Sequence, residues 1–371
     1  MSEQIATVRQ QIDQLDQQLL DLLNQRAQKA QEVAAIKTRE QSGSSDSEKK
    51  QGDPVIFYRP EREAQVLARI MQLNRGPLSD EEVARLFREI MSACLALERP
   101  TQIAYLGPAG TFTQQAALKH FGHSSNTRPA STIAQVFREV EASAADYGVV
   151  PVENSTEGVV SHTLDRFMHS ALQIVGEVEL RIHHNLMSAA HTPPANITRV
   201  YSHSQTLAQC RRWLDENHPG IERVPVASNA EAAKRVGSEW NSAAIAGTIA
   251  ADLYGLTILA EKIEDRPDNS TRFLIIGRES TDPSGRDKTS LMLTARNKPG
   301  ALLELLMPFR ERQIDLTRLE SRPAPSKNWS YIFFVDIRGH RKDPPVQAAL
   351  KELEKLGCET KILGAYPVAV L

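Results

Sequence analysis

The sequence predicts a multidomain chain. It divides into an all-α dimerising domain over 1–99, a two-lobed α/β domain over 101–279 and a small α+β domain of ferredoxin-like order over 288–368. Three observations carry this. Apolar residues recur at heptad spacing from Ile5 to Ile36. From Ile103 onward, most strand-like runs are followed by a polar loop and a helical run. From Ser290 to Tyr366 the order reads βαββαβ. Two breaks separate the regimes: Pro100 after Glu98-Arg99, and the turn-rich stretch 280–288.

The first helix carries Ile5, Ile12, Leu19, Arg26 and Val33 in one series and Val8, Leu15, Leu22, Lys29 and Ile36 in the other. Such a seam packs along a partner helix. A second helix starts near Pro60 with Val66, Ile70 and Leu73 on one face, and stops at Gly76-Pro77. A third opens with the capping box Ser79 to Glu82 and is expected to bury Val83, Phe87, Ile90 and Cys94. One long and two short helices make a thin core, which dimerisation would complete. The polar stretch from Thr38 to Asp53 reads as a loop. In the middle region strands are read at 103–106, 147–152, 199–202, 224–227, 243–246 and 273–276. The last of these follows a long excursion, so the chain returns there from a second lobe, about 180–267, to the first. The third region gives strands at 290–295, 315–321, 329–337 and 360–366, with helices at 300–311 and 345–356.

Composition excludes several classes. Net charge is −2 with 41% hydrophobic residues, which gives no basic footprint for nucleic acid. No apolar run is long enough to span a bilayer, and the polar start lacks the apolar core of a signal peptide. Cys94, Cys210 and Cys358 are widely spaced, which fits a reducing, cytoplasmic compartment. No HExxH or cysteine spacing suggests a metal, and His183-His184 reads as a strand pair. No metal and no cofactor are expected.

Charges interrupt the helical seam. Arg26 and Lys37 differ in direction by only roughly 20° and stand about 16 Å apart along one helix. Glu63 shares a face with Val66 and Ile70, and Glu98 lies one turn beyond Cys94. Arg26 alone reads equally as a register-fixing polar residue. Several charges aimed at one small core suit a small dianion. The region 5–98 resembles the all-helical chorismate mutases. That resemblance implies that Arg26 and Arg62 anchor carboxylates, Arg9 reaches across a dimer, Lys37 donates to the ether oxygen and Glu63 accepts from the ring hydroxyl. Glu98 falls where some relatives carry glutamine, and would donate to the ether oxygen when protonated. Cys94 stands where relatives have a small hydroxyl, and Arg59 where some have an acidic contact. The chemistry explains these types: a Claisen rearrangement needs a compact conformer and positive charge at the breaking C–O bond, with no nucleophile.

In the α/β region the loops GPAGTFT (107–113), PVENSTEG (151–158), SHSQ (202–205) and NSTRF (269–273) sit at or near strand ends. Ligands bind there in open α/β sheets, and helix N-termini accept anions. Each loop alone also reads as an ordinary cap or turn. Together, in this order, they resemble prephenate dehydratase over essentially all of 101–279. The family fold is two lobes similar to type 2 periplasmic binding proteins. The resemblance implies that Thr271 is the essential threonine. It further implies that Thr111, Thr113, Asn154, Ser155, Thr156, Ser202, Gln205, Thr271 and Arg272 bind prephenate. Loss of hydroxide needs a proton donor. Thr271 donates or relays that proton, with Glu157 a candidate source, and Arg272 either anchors a carboxylate or braces its loop.

The last region resembles an ACT domain. Its segments GAL (Gly300, Ala301, Leu302) and ESRP (Glu320, Ser321, Arg322, Pro323) match the pair that borders phenylalanine in such dehydratases. This implies phenylalanine feedback at a site between two such domains. The order of the three regions is that of the bifunctional chorismate mutase/prephenate dehydratases, the P-proteins. The expected partners are chorismate, prephenate and phenylalanine, with a homodimer or tetramer. Two other readings fit the same residues: a monofunctional dehydratase with a helical dimerisation domain, and a non-catalytic aromatic-acid sensor.

Overall fold

The computed structural model describes residues 2–43, 58–294, 298–323 and 331–370. Two compact units are distinguished. One holds 1–59, 67–101 and 121–126; the other holds 60–66, 102–120 and 127–371.

In the first unit, α1 (Ser2–Gly43) is a single helix, about 63 Å long at 1.5 Å per residue. It runs through Thr38 to Gly43, where a loop was expected; residues 44–53 of that expected loop lie outside the described residues. Its heptad seam is uncovered: Ile5, Val8, Ile12, Leu15, Leu19, Leu22, Val33 and Ile36 are all exposed. The helix α2 (Pro60–Leu73), whose residues 60–66 are counted with the other unit, begins with Pro at its first position, where no N–H is missed, and α3 (Asp80–Glu98) is capped by the Ser79 side chain accepting from Glu82 N. The expected faces shift. Leu73 is exposed, whereas Glu61, Ala64 and Leu67 are buried. On α3, Ala84, Arg88, Ser92 and Cys94 are buried, and Val83, Phe87 and Ile90 are half-buried.

The second unit contains three sheets. The chain runs β1 (Gln102–Leu106), α4 (Phe112–Phe121), β2 (Asn126–Ala130), α5 (Ile133–Glu141), β3 (Tyr147–Asn154), β4 (Gly158–Val159), α6 (Ser161–His169), β5 (Gln173–Arg181) and β6 (Asn185–Ala189). It continues with β7 (Arg199–His203), α7 (Ser204–Gln209), α8 (Arg211–Asn217), β8 (Glu222–Val226), α9 (Asn229–Val236), β9 (Ser242–Ala246), α10 (Thr248–Tyr254), β10 (Leu256–Ala260) and β11 (Ser270–Gly277). The first lobe is the sheet β2-β1-β3-β11-β5, and the second is β10-β6-β9-β7-β8. Strand β11 therefore does return to the first lobe, antiparallel between β3 and β5.

Strands β2, β4, β5, β6 and β10 were not legible in the sequence. Strand β6 is buried along its whole length and β5 along most of it, so neither alternates cleanly; β2 contains Pro129 at a sheet edge. His183 and His184 lie in the turn between β5 and β6 rather than in a strand.

The last part has β12 (Asp287–Thr294), α11 (Ala301–Glu311), β13 (Leu316–Pro323), β14 (Tyr331–Arg338), α12 (Pro344–Lys355) and β15 (Glu359–Pro367), in the sheet order β13-β14-β12-β15. This is the expected ferredoxin-like order, with β13 at an edge. One apolar core joins Phe137, Phe167, Val150 and Leu274 of the first lobe to Ile332, Phe334, Leu363 and Tyr366. Gly364 makes this approach possible. A side chain there would collide with the backbone of Ile174 on β5.

Candidate functional site

In the helical unit the structure brings two predicted pairs together. Arg26 Nη1 donates to Cys94 Sγ at 2.9 Å, so Cys94 fixes the guanidinium from α3. Burial pushes the Glu98 carboxyl above its ordinary range, and the Lys37 ammonium pulls the other way. Arg9 is exposed and stands on α1 about 42 Å from Lys37, at 28 residues of 1.5 Å. One copy of α1 cannot bring both to one small ligand. Among the residues of α2 counted with the other unit, Arg62 is exposed and Glu63 half-buried on the first turn. Arg59 precedes that helix, exposed and extended.

In the second unit the loops of β3 and β11 form one hydrogen-bonded cluster around Thr271, which is 9% exposed. Asn154 and Thr271 are register partners. Asn154 Oδ1 accepts from Thr156 N and Glu157 N, both at 2.9 Å, which fixes the amide orientation. Its Nδ2 therefore donates, to Thr271 Oγ1 at 2.7 Å and Asn269 Oδ1 at 2.9 Å. Thr271 accepts this bond, and its own hydroxyl proton points elsewhere. Ser155 Oγ accepts from Ser270 N at 2.9 Å, and Thr156 Oγ1 donates to Asn269 Oδ1 at 3.3 Å.

The second lobe joins this cluster through the expected Gln205, and through Gln209 and His184, which the sequence did not single out as site residues. Glu157 accepts from Gln205 Nε2 and Gln209 Nε2, each at 3.0 Å. Gln209 Oε1 accepts from Asn269 Nδ2 at 3.2 Å, and lies 2.8 Å from His184 Nε2. Since that oxygen can only accept, His184 carries its proton on Nε2. Burial holds the His184 pKa below its ordinary value, so the ring is neutral. Gln209 lies on α7 one turn beyond Gln205; that spacing was the available signal. Across the cleft, Tyr254 OH donates to Ala109 O at 3.0 Å, and the Phe112 ring meets His184 edge-on.

Other predicted ligands are placed differently. Thr111 donates to Leu106 O at 3.1 Å and accepts from Gln114 N at 3.4 Å, so it caps α4. Thr113 is buried on the first turn of α4. Ser202 is fully buried, within 2.8 Å of Asn229 Oδ1 and 2.7 Å of Ile245 O. It ties the end of β7 to β9 and to the start of α9 rather than facing a ligand.

Arg272 needs the larger correction. Consecutive strand residues face opposite ways, and Arg272 turns from the cluster toward the third sheet. Its Nε donates to Glu177 at 2.8 Å, Nη1 to Asp336 at 2.6 Å and Nη2 to Tyr366 OH at 2.9 Å. Burial alone would raise the Asp336 carboxyl, but Arg272, Ser290 and Arg318 hold it below the usual range. Removing one partner would leave a buried charge unmatched, at about 3–5 kcal/mol.

In the third sheet, Gly300 caps α11 in a left-handed conformation, φ 80°, with Ala301 and Leu302 opening the helix. Asn297 lies outside the described residues. Glu320, Ser321 and Pro323 lie on the edge strand β13. Arg322 reaches α6 instead, donating to Ser161 Oγ at 2.5 Å and Asp165 at 2.7 Å. Among the described residues, no group of acidic, histidine or cysteine side chains could hold a metal ion, and no helix is long and apolar enough to cross a membrane.

The family model for prephenate dehydratase matches residues 103–281, that for chorismate mutase type II 8–99, and that for the ACT domain 289–355. A bifunctional chorismate mutase/prephenate dehydratase of Stutzerimonas stutzeri is 58% identical over 370 residues, covering 100% of this chain and 99% of its own length. The chain belongs to this bifunctional family. An Escherichia coli K12 chorismate mutase/prephenate dehydratase is 31% identical over 98% of this chain and 96% of its own. The crystal structure of an Arthrobacter aurescens prephenate dehydratase in complex with L-Phe is 34% identical. It covers 72% of this chain and 90% of its own, with a TM-score of 0.67. Membership in the bifunctional family thus accounts for the helical unit as well as for the two-lobed cleft and the terminal sheet.

Proposed function

We propose that the protein converts chorismate to prephenate in its helical domain and prephenate to phenylpyruvate in the cleft around Thr271, and that phenylalanine regulates it through the terminal domain. The observation that carries the second step is the direction of the Asn154 to Thr271 hydrogen bond. In prephenate the ring carboxylate leaves as carbon dioxide, its C–C electron pair enters the ring, and the ring hydroxyl departs. That hydroxyl needs a proton to leave as water. Thr271 is the donor that the geometry leaves available, since Asn154 occupies its acceptor side. The donated N–H also stabilises the oxygen as it loses its proton. Glu157, held by Gln205 and Gln209 at the same cleft, is the group that would resupply the proton. Aromatisation drives the reaction, so no cofactor is required.

In the helical domain, Arg26 held by Cys94 serves one carboxylate, and Lys37, joined by Glu98 when its carboxyl is protonated, stabilises the negative charge growing on the ether oxygen. Arg62 and Glu63 complete the binding set by the family pattern. The exposed seam of α1 and the distance of Arg9 from Lys37 support a homodimer in which Arg9 serves the other copy's site. Phenylalanine would bind between Gly300–Leu302 and Glu320–Pro323 of paired terminal domains. Three buried free cysteines fit the cytoplasm.

Supplying prephenate alone tests the dehydratase. The native chain should release phenylpyruvate, and Thr271→Val should lose about 10²- to 10⁴-fold in kcat. Inert native protein, or near-native turnover by the valine variant, would overturn this reading.

A further inference from the structure

We propose that Asp336, Tyr366 and Arg318 of the terminal domain are positioning residues for the dehydratase. They grip the back of the residue pair Arg272/Glu153 and so set the Asn154–Thr271 hydrogen bond on the front. This rests on the dehydratase reading given above.

The register makes the case. Thr271 pairs with Asn154, and the next pair along the same two strands is Arg272 with Glu153. Neighbouring pairs face opposite sides of a sheet. The front pair carries the proposed chemistry. The back pair meets the terminal sheet at each end. Arg272 is bound by Asp336 and Tyr366, and Glu153 Oε2 lies 3.2 Å from Arg318 Nε. Arg318 is itself the register partner of Asp336.

These groups are themselves fixed. Ser290 Oγ donates to Asp336 Oδ1 at 2.6 Å and lies 2.8 Å from Tyr366 OH. Glu177 binds both Arg272 and Lys288, at 2.8 Å each. Asp336 is 5% and Tyr366 0% exposed. An arginine whose three nitrogens each donate to a different buried partner is held in one geometry rather than a range of them. The strands it holds diverge from regular pairing at this point: the β11–β3 register shifts between Arg272 and Phe273. An irregular strand end needs an external hold to keep a 2.7 Å contact in place.

None of the three touches the front face, so their loss should lower kcat and spare KM. Asp336→Asn keeps the shape and removes the charge. It should reduce dehydratase kcat by about tenfold to a hundredfold with KM within about twofold, as expected when a reacting group is displaced by a fraction of an ångström to an ångström. Tyr366→Phe removes one bond and should cost about threefold. A merely cohesive role would lower the melting temperature and leave the kcat of folded enzyme unchanged. The methyl resonance of Thr271, assigned by its loss in Thr271→Ser, gives a readout independent of turnover. It should move in Asp336→Asn. If Asp336→Asn does not fold, Tyr366→Phe decides by the same two readouts. Native kcat together with an unmoved Thr271 methyl in a folded variant would overturn the proposal. A native enzyme that leaves prephenate untouched would sink the dehydratase reading, while the methyl shift still decides whether the terminal domain positions Thr271.

Discussion

Replacing Asn154 by aspartate changes one group and inverts one hydrogen bond. In the native site Nδ2 donates to Thr271 Oγ1 across 2.7 Å, while Oδ1 is held by two backbone N–H groups at 2.9 Å. Asn154→Asp keeps the second half and substitutes a carboxylate oxygen for the donor. The Thr271 hydroxyl would then donate to that oxygen instead of to the leaving group. Hydrogen bonds to charged groups are worth about 1.5–3 kcal/mol net. That bond must break before the proton can move, and each 1.36 kcal/mol is tenfold in rate. Dehydratase kcat should fall by about 10- to 150-fold at neutral pH. The sign with pH follows. Once protonated, the introduced carboxyl can donate to Thr271 again, so the ratio of variant to native rate should rise as pH falls through its pKa. Phenylpyruvate release from prephenate, followed across pH for both proteins, is the assay. A variant with native kcat, or a ratio flat with pH, would refute the argument that Asn154 directs the Thr271 proton.

Further outcomes follow from the same structure. Burial raises the Glu98 carboxyl, and its protonated form is the donor, so mutase turnover should fall as pH rises through that value; Glu98→Gln, which always donates, should flatten the profile. Leu22→Glu places a charge on the exposed seam of α1; light scattering should show loss of the proposed dimer, and mutase activity should go with it. Gly364→Ala forces a methyl group against the Ile174 backbone. It should cost about 1–3 kcal/mol, seen as a melting point lower by about 2–12 °C.

The domain order and the site loops were legible because they are written locally. Heptad spacing announces α1, and the strand-end loops announce the cleft. What was hidden depends on tertiary partners. Arg272 and Thr271 are adjacent in sequence, and only the strand's orientation between two sheets separates the proposed proton donor from a buried clamp. Ser202 looks like a ligand in its loop, but Asn229 at the start of α9 and Ile245 on β9 consume it. Gln209 belongs to the cluster through Glu157 and Asn269, and His184 through Gln209, contacts that no short motif records. Strands β5 and β6 escaped because buried strands lack alternation.

The central claim is that one chain carries both steps. The most direct test gives the purified protein chorismate alone, with EDTA and no cofactor, beside Thr271→Ala. The account predicts phenylpyruvate from the native protein and accumulated prephenate from the variant. Chorismate left untouched by the native protein, or phenylpyruvate formed at the native rate by Thr271→Ala, would contradict it.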